Sequence, residues 1–348
     1  MYDVIIAGAG PAGSTAAKRL ADAGLSVLLA EKLAVPRYKS CSGVLIRKSL
    51  QLVAKYFASE IPASVMCTPY ENRGMILTGD TGREFRFEQP GINVWRSAFD
   101  AFLVGKAQNA GAELRDSLML LNVESHQEFV QASLCSHGIT EPLQARYLLD
   151  CTGVTGSWRR KVTGCASDTV TTFQTFYHGS IDLDPHYFYA YLQPELSAYD
   201  AWFNVKDDFL VLGVASANPA EIPLYYRRFL EYMQTNHGLK LHGAPLKQDR
   251  WQMPKIVPGC PVTYGSDRVL FAGEAAGFLN PMGEGISAAM ESGAAAAQAI
   301  ADNFHNPQAV LRGYRDNVQD LHAYMRRQWR LLSGMSESFS GFCPQNVQ

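Results

Sequence analysis

Residues 2–32 read YDVIIAGAGPAGSTAAKRLADAGLSVLLAEK, and this stretch decides the fold. DVIIA is an apolar, β-branched run of strand length. Gly8, Gly10 and Gly13 follow in GxGxxG spacing, and a helical pattern, STAAKRLADAG, closes at Gly24. A second apolar strand, LSVLLA, ends at Glu31 and Lys32. Gly8 permits the tight turn, Gly10 lets the backbone approach a pyrophosphate, and Gly13 lets helix and strand pack closely. Pro11 and Ala12 open the helix, whose start faces the phosphates, and Glu31 accepts hydrogen bonds from an adenosine ribose. With strand, helix, second strand and acid all in place, the stretch predicts a Rossmann-like dinucleotide site. The acid favours the free ribose hydroxyl of FAD or NAD over the phosphate of NADP.

A second signal lies near the other end, DRVLFAGEAAGFLNPMGEGISAAMESGAAAAQAIADNF over 267–304. VLFAG reads as a strand ending at Gly273 and Glu274. NPMGEG, with Gly283 and Gly285, is a glycine-rich turn, and a long small-residue helix opens at Ile286. An acid after a strand binds a ribitol or ribose hydroxyl, and a helix start stabilises negative charge on a flavin pyrimidine. Two such junctions at opposite ends of the chain predict the two halves of one FAD site.

The 348 residues are enough for about two domains. The net charge is −2, with 31 basic and 33 acidic residues, so nothing suggests a nucleic-acid footprint. Seven cysteines lie scattered without CxxC spacing, which argues against a disulfide framework and a zinc site. No uncharged run is long enough to span a bilayer. These features predict a cytoplasmic protein with reduced thiols and no metal.

Four segments carry a resemblance: GAGPAGSTAA with Glu31, PRYKSCSGVL (36–45), WRSAFDAFLVGKAQNAGAEL (95–114) and AGEAAGFLNPMGEGISAAMESG (272–293). Together the chain resembles the FAD-dependent geranylgeranyl reductase family, within the wider group of flavin-dependent aromatic hydroxylases and halogenases. The resemblance implies a glutathione-reductase-type α/β FAD-binding domain, interleaved with an antiparallel β-sheet substrate domain and followed by C-terminal helices. The expected boundaries are 1–65, 92–165 and 258–305 for the FAD domain, 66–91 and 166–257 for the sheet domain, and 306–348 for the helices. It also implies cofactor contacts from Arg37, Ser40, Cys41, Ser42 and Gly43, from Arg96, and from Thr152 and Gly153. At YLLDCTGVTGSWRR (147–160) the chain departs from the group. Thr152-Gly153 stands where hydroxylases carry Asp-Gly, with Ser157 and Arg160 beyond it, which counts against efficient direct use of NADPH.

The middle of the chain is alternating and aromatic: TTFQTFYHGSIDLDPHYFYAYLQPEL (171–196), then YDAWFNVKDDFLVLGVASA (199–217). These segments predict sheet strands with turns at HGS and KDD. Phe173, Phe176, Tyr187, Tyr189, Tyr191, Trp202 and Phe203 are candidates to line an apolar substrate cavity, and His178 and His186 are the histidines nearby. The stretch 311–335, LRGYRDNVQDLHAYMRRQWRLLSGM, is a basic-apolar helical pattern. It suits packing on the body or peripheral contact with a membrane.

The expected function is an FAD-dependent oxidoreductase that reduces C=C bonds of an apolar, isoprenoid-like small molecule. Its electrons would come from a nicotinamide cofactor (NAD(P)H) or from a redox partner protein such as ferredoxin. Two alternatives stay open, an FAD-dependent monooxygenase of an aromatic substrate and a flavoprotein that binds an apolar ligand without turnover. Cys41 is the candidate catalytic residue, because Arg37 and Lys39 flank it and nearby positive charge lowers a thiol's pKa.

Overall fold

The computed structural model describes residues 1–154, 159, 161, 164, 169–255, 257, 259–281 and 283–336. Ser157, Arg160, Cys165 and Cys343 therefore lie outside the described residues.

The opening strand, Tyr2–Ala7, pairs in parallel with Val27–Ala30 on one side and Ile139–Asp150 on the other. Val4, Ile5 and Ile6 are fully buried, as befits a strand covered on both faces of a parallel sheet. The path of this sheet runs Gly265–Ser266, Val269–Phe271, Ile139–Asp150, Tyr2–Ala7, Val27–Ala30, Glu113–Arg115. The strands Met119–Ser125 and Val130–Ser136 extend it from Ile139–Asp150. The first helix, Pro11–Asp22, has Pro at its start and ends before Gly24, at φ +82°. It packs against the helix Ile286–Asp302 so closely that a Cβ at Gly293 would stand 2.3 Å from the Ala12 carbonyl oxygen. The run of alanines there lets two helices share the space of one ordinary contact.

The second sheet runs Lys247–Pro254, Thr169–Tyr177, Phe209–Ser216, Ala201–Lys206, Tyr187–Tyr191, Met66–Thr78, Glu84–Val94, Val44–Ile46. Two features differ from expectation. The sheet is mixed, because Tyr187–Tyr191 runs parallel to Met66–Thr78. Its edge is also formed by Val44–Ile46, from the segment assigned to the cofactor domain. The HGS segment is not a simple turn: Gly179–Ser180 pairs with Lys240–Leu241 as a small separate ladder. At KDD the chain does reverse, with Asp207 at φ +50°.

One face of this sheet is covered by the helix Ile222–His237, whose Phe229 and Met233 are buried among Tyr189, Tyr191, Phe203, Leu212 and Val214. The other face looks toward the first sheet. The C-terminal helices Pro307–Asn317 and Gln319–Ser333 pack on the body through Val310, Tyr314, Leu321, Met325, Trp329 and Leu332. Among the described residues, no helix is long and apolar enough to cross a membrane.

Candidate cofactor and substrate site

A cavity of about 600 Å³ lies between the carboxyl ends of the first sheet's strands and the inner face of the second sheet. Every residue expected to bind the cofactor lines it except Gly13 and Gly43. Those two act behind the wall. A Cβ on Gly13 would stand 1.9 Å from the Gly8 carbonyl oxygen, so this glycine seats the helix on the turn. Gly43, at φ +74°, would meet the Val94 carbonyl oxygen at 2.1 Å, and it steers the loop into the second sheet.

The first glycine turn is pinned from beneath and open above. Gly8 has φ +101° and would collide with the Cys151 carbonyl oxygen at 2.4 Å if it carried a side chain. Gly10 faces the cavity, where an added Cβ would meet only Arg37 Nη2, at 3.7 Å. Gly10 also caps the first helix without any side-chain hydrogen bond, leaving helix-start N–H groups for an anion. The second turn is roomy at Gly283, where among the described residues an added Cβ would meet nothing within 4 Å. There Glu284 accepts the Ser287 N–H at 2.7 Å. One open helix start, a second glycine turn leading into a helix, and a buried acid on one cavity fit a dinucleotide.

From that acid a chain of buried charges crosses the floor. Glu31, 4% exposed, accepts the Ala9 N–H at 3.0 Å and the Arg37 Nε at 2.9 Å. Arg37 Nη1 donates to Asp100 Oδ2 at 2.8 Å, and Arg96 donates from Nε and Nη2 to both Asp100 oxygens at 2.8 and 2.9 Å. Beyond Arg96 comes Cys41. Burial pushes the Cys41 thiol up, but the Arg96 charge, followed by those of Lys39 and Lys206, outweighs it and brings the thiol below its ordinary value. The Gly43 N–H also donates to Sγ, at 3.4 Å. Of the two cations expected from sequence, Lys39 acts on the thiol, while Arg37 is engaged with Glu31 and Asp100.

The loop is held by partners distant in sequence. Tyr38 OH donates to Asp249 Oδ2, Ser40 Oγ donates to Asp249 Oδ1 at 2.8 Å, and Gln174 Nε2 donates to Tyr38 OH at 3.2 Å. Lys206, 1% exposed, donates from Nζ to the Cys41 carbonyl at 3.3 Å and lies 4.2 Å over the Trp95 ring. Lys39 Nζ reaches Glu274 Oε1 at 3.5 Å, tying this loop to the acid that follows the strand Val269–Phe271. At the departed motif, Asp150 Oδ1 accepts the Thr152 N–H at 2.9 Å and its hydroxyl at 2.6 Å. Its Oδ2 has no partner among the described residues, and burial pushes the carboxyl up to about 6.

The expected substrate residues divide by face. Trp202 lines the cavity, with its ring lying over Gly213, where a Cβ would stand 2.1 Å from Cζ2. Phe173, Tyr187, Tyr189, Tyr191 and Phe203 do not line it. Their alternate positions turn them to the opposite face, against the helix Ile222–His237. Phe176 is on the inner face but beyond the cavity, stacked on Trp95 at 5.9 Å. The lining comes instead from Val170, Thr172, Phe188, Ala190, Leu192 and Ala215, and from Leu332 of the last helix. The two histidines also stand apart: His178 lies against Phe209 and the Asp208 carbonyl, and His186 against Asp184. Among the described residues no cluster suits a metal ion.

Comparison with known proteins matches this architecture. The profile of the FAD binding domain family matches residues 1–324. A digeranylgeranylglycerophospholipid reductase of Thermoplasma acidophilum is 26% identical over 340 residues, covering 89% of this chain and 82% of that protein. An uncharacterised protein of Methanosarcina barkeri is 27% identical over 91% of this chain and 80% of its own length. A solved structure of a geranylgeranyl bacteriochlorophyll reductase-like protein from Thermoplasma acidophilum superposes with a TM-score of 0.80 at 20% identity, covering 98% and 90% of the two chains. A flavin-dependent brominase superposes at 0.75 with 23% identity, over 96% of this chain and 90% of that one. These likenesses in structure establish the fold. The chain belongs to the FAD binding domain family, as a flavin-dependent oxidoreductase.

Proposed function

We propose that this protein uses FAD to reduce carbon–carbon double bonds in an apolar, isoprenoid-like substrate. One observation carries the reading: a single cavity runs from two glycine turns at helix starts, past a cation-flanked thiol, to an apolar wall under the second sheet. The homologues named as reductases of geranylgeranyl lipids support it. In this reading Gly8, Gly10, Pro11 and Ala12 hold the pyrophosphate, and Glu31 and Lys32 hold the adenosine ribose. Arg37, Arg96, the Ser40–Ser42 backbone, Thr152, Gly153, Gly273, Glu274, Gly283, Gly285 and Ile286 surround the rest of the cofactor. When bound and reduced, FAD supplies a hydride.

The protein's own part is position, dryness and a proton. The wall from Val170 to Trp202 aligns an apolar chain and excludes water from it. Cys41 Sγ, made more acidic by Arg96, Lys39 and Lys206, gives its proton to the substrate carbon that does not receive hydride. The same cations hold the resulting thiolate until solvent returns a proton. Asp249 keeps the loop still through Tyr38 and Ser40.

Anaerobic reoxidation tests the reading. Reduced holoprotein mixed with a polyprenyl substrate should recover oxidised-flavin absorbance and yield a product two hydrogens heavier. Reoxidation that requires oxygen and inserts an oxygen atom would overturn it in favour of monooxygenation.

A further inference from the structure

We infer that the part of the cavity around Asp200, displaced along the roof from the Cys41 loop, recognises a hydrogen-bond-donating head group, a hydroxyl or an amine, with Asp200 as its acceptor. This rests on the isoprenoid reading above and specifies the polar end of that substrate.

The strand Ala201–Lys206 runs along the roof with its even-numbered side chains inward. Lys206 donates to the Cys41 carbonyl and Asn204 Nδ2 to the Ser42 carbonyl, at 3.3 and 3.5 Å. These contacts fix one end of the strand at the thiol loop. Trp202 comes next, then Asp200, which at the usual strand rise stands roughly 13 Å along the roof from Asn204. Ala201 pairs with Tyr191 and with Val214. Continuing the register places Asp200 between Leu192 and Ala215, and all three line the cavity.

A carboxyl set between a leucine and an alanine is costly unless something donates to it. Among the described residues, Asp200 receives a hydrogen bond only from its own backbone, and burial pushes it up to about 6. At neutral pH it therefore presents mostly a carboxylate to an apolar space. Charge distribution then selects the ligand class. Among the described residues, the cations that line the cavity are Lys32, Arg37, Lys39 and Arg96, three from the segment that runs from the ribose acid to the thiol loop and one, Arg96, beside the thiol. Around Asp200 a phosphate or diphosphate would meet a carboxylate and, among the described residues, no lining cation from the neighbouring roof positions. A hydroxyl or ammonium would meet an unshared acceptor.

The test uses FAD-loaded full-length protein, as wild type, Asp200→Asn and Asp200→Leu. Four ligands share one polyprenyl chain and end in a hydroxyl, an amine, a diphosphate or a methyl group. Affinity is read from the perturbation of the oxidised flavin spectrum, independently of turnover. The hydroxyl and amine ligands should bind wild type at least ~10-fold more tightly than the other two. Asp200→Leu should lose about 10- to 100-fold for the donor ligands and leave the methyl-terminated one unchanged. Asp200→Asn should keep the hydroxyl ligand better than the amine. Diphosphate binding as tight as the alcohol, or an unchanged alcohol preference in Asp200→Leu, overturns the inference. Failure of all four ligands to reoxidise reduced holoprotein would instead sink the reductase reading, while the affinity order still decides the role of Asp200.

Discussion

Replacing Arg96 by methionine tests whether the thiol is governed by the charge chain behind it. Arg96 is 5% exposed and makes two hydrogen bonds to Asp100, which Arg37 Nη1 also reaches at 2.8 Å. Breaking a buried ion pair from one side costs about 3–5 kcal/mol, mostly because a charge is stranded. Arg37 remains with Asp100, so the lower end, about 3 kcal/mol, is expected. That is a large share of a typical stability of about 5–15 kcal/mol, yet it leaves a folded protein.

At Cys41 burial raises the thiol and Arg96 is the largest influence against it, so Arg96→Met should move the thiol up. Asp100→Asn should do the reverse, because the guanidinium is then shared with no carboxylate and acts more strongly on the thiol. Both variants lose stability, but the thiol moves in opposite directions. Because the folded thiol lies below its unfolded value, its ionisation contributes stability above the unfolded value. That contribution fades as pH falls through the folded value, and Arg96→Met removes it. The assay is the pH dependence of iodoacetamide alkylation at the Cys41 peptide, read by mass spectrometry beside urea unfolding. A profile unmoved in Arg96→Met, or shifted the same way in both variants, would refute the electrostatic account.

Three further outcomes follow from the geometry. Burial raises Asp150 from 3.8 to about 6, a rise worth about 3 kcal/mol. Its folded value lies above its unfolded one, so this contribution is present below about pH 4 and lost as pH rises through about 6. Asp150→Asn should therefore stabilise the FAD-free protein at pH 7 by up to about 3 kcal/mol and at pH 4 by little, and an equal change at both pH values in urea unfolding would contradict this. Gly213→Ala should push the Trp202 ring into the cavity at a cost of about 1–3 kcal/mol. Polyprenyl affinity should fall while FAD content holds, and unchanged affinity would count against Trp202 as a wall. Leu332 is held by its own helix and by the Ser336–Asp80 hydrogen bond at 2.8 Å. Leu332→Ala should cost about 2–5 kcal/mol and raise kcat/KM for longer chains over shorter ones by about tenfold, and an unchanged ratio would show that this helix does not bound the substrate.

The cofactor end of the site was legible because its signals are local. A turn that excludes a side chain at Gly8, an open helix start at Gly10 and an acid at the end of the next strand all fall within 31 consecutive residues. The partners that hold the thiol loop were not legible, because they come from other parts of the fold. Asp249 lies 211 residues from Tyr38, and Glu274 lies 235 from Lys39. Asp100 was visible within its helix, but its pairing with Arg37 across 63 residues was not.

The substrate side failed for a different reason, which concerns what a cavity is made of. Along Tyr187–Tyr191 the strand alternation was readable, and it separates tyrosines from Phe188 and Ala190. Pattern alone does not say which face is which. Bulky aromatics invite assignment to an apolar pocket, yet a tyrosine fills volume, and volume filled is not available to a ligand. Tyr187, Tyr189 and Tyr191 pack in the solid core against the helix Ile222–His237. The face left open carries Ala190, Gly213 and Ala215, with Trp202 laid flat over the glycine. In a sheet with one solid and one hollow side, the hollow side is marked by its small residues. Read that way, the alternation in YFYAYL and in LVLGVAS points to the same inner face from two separate strands. It also singles out Asp200, the charged residue on that face flanked by Leu192 and Ala215.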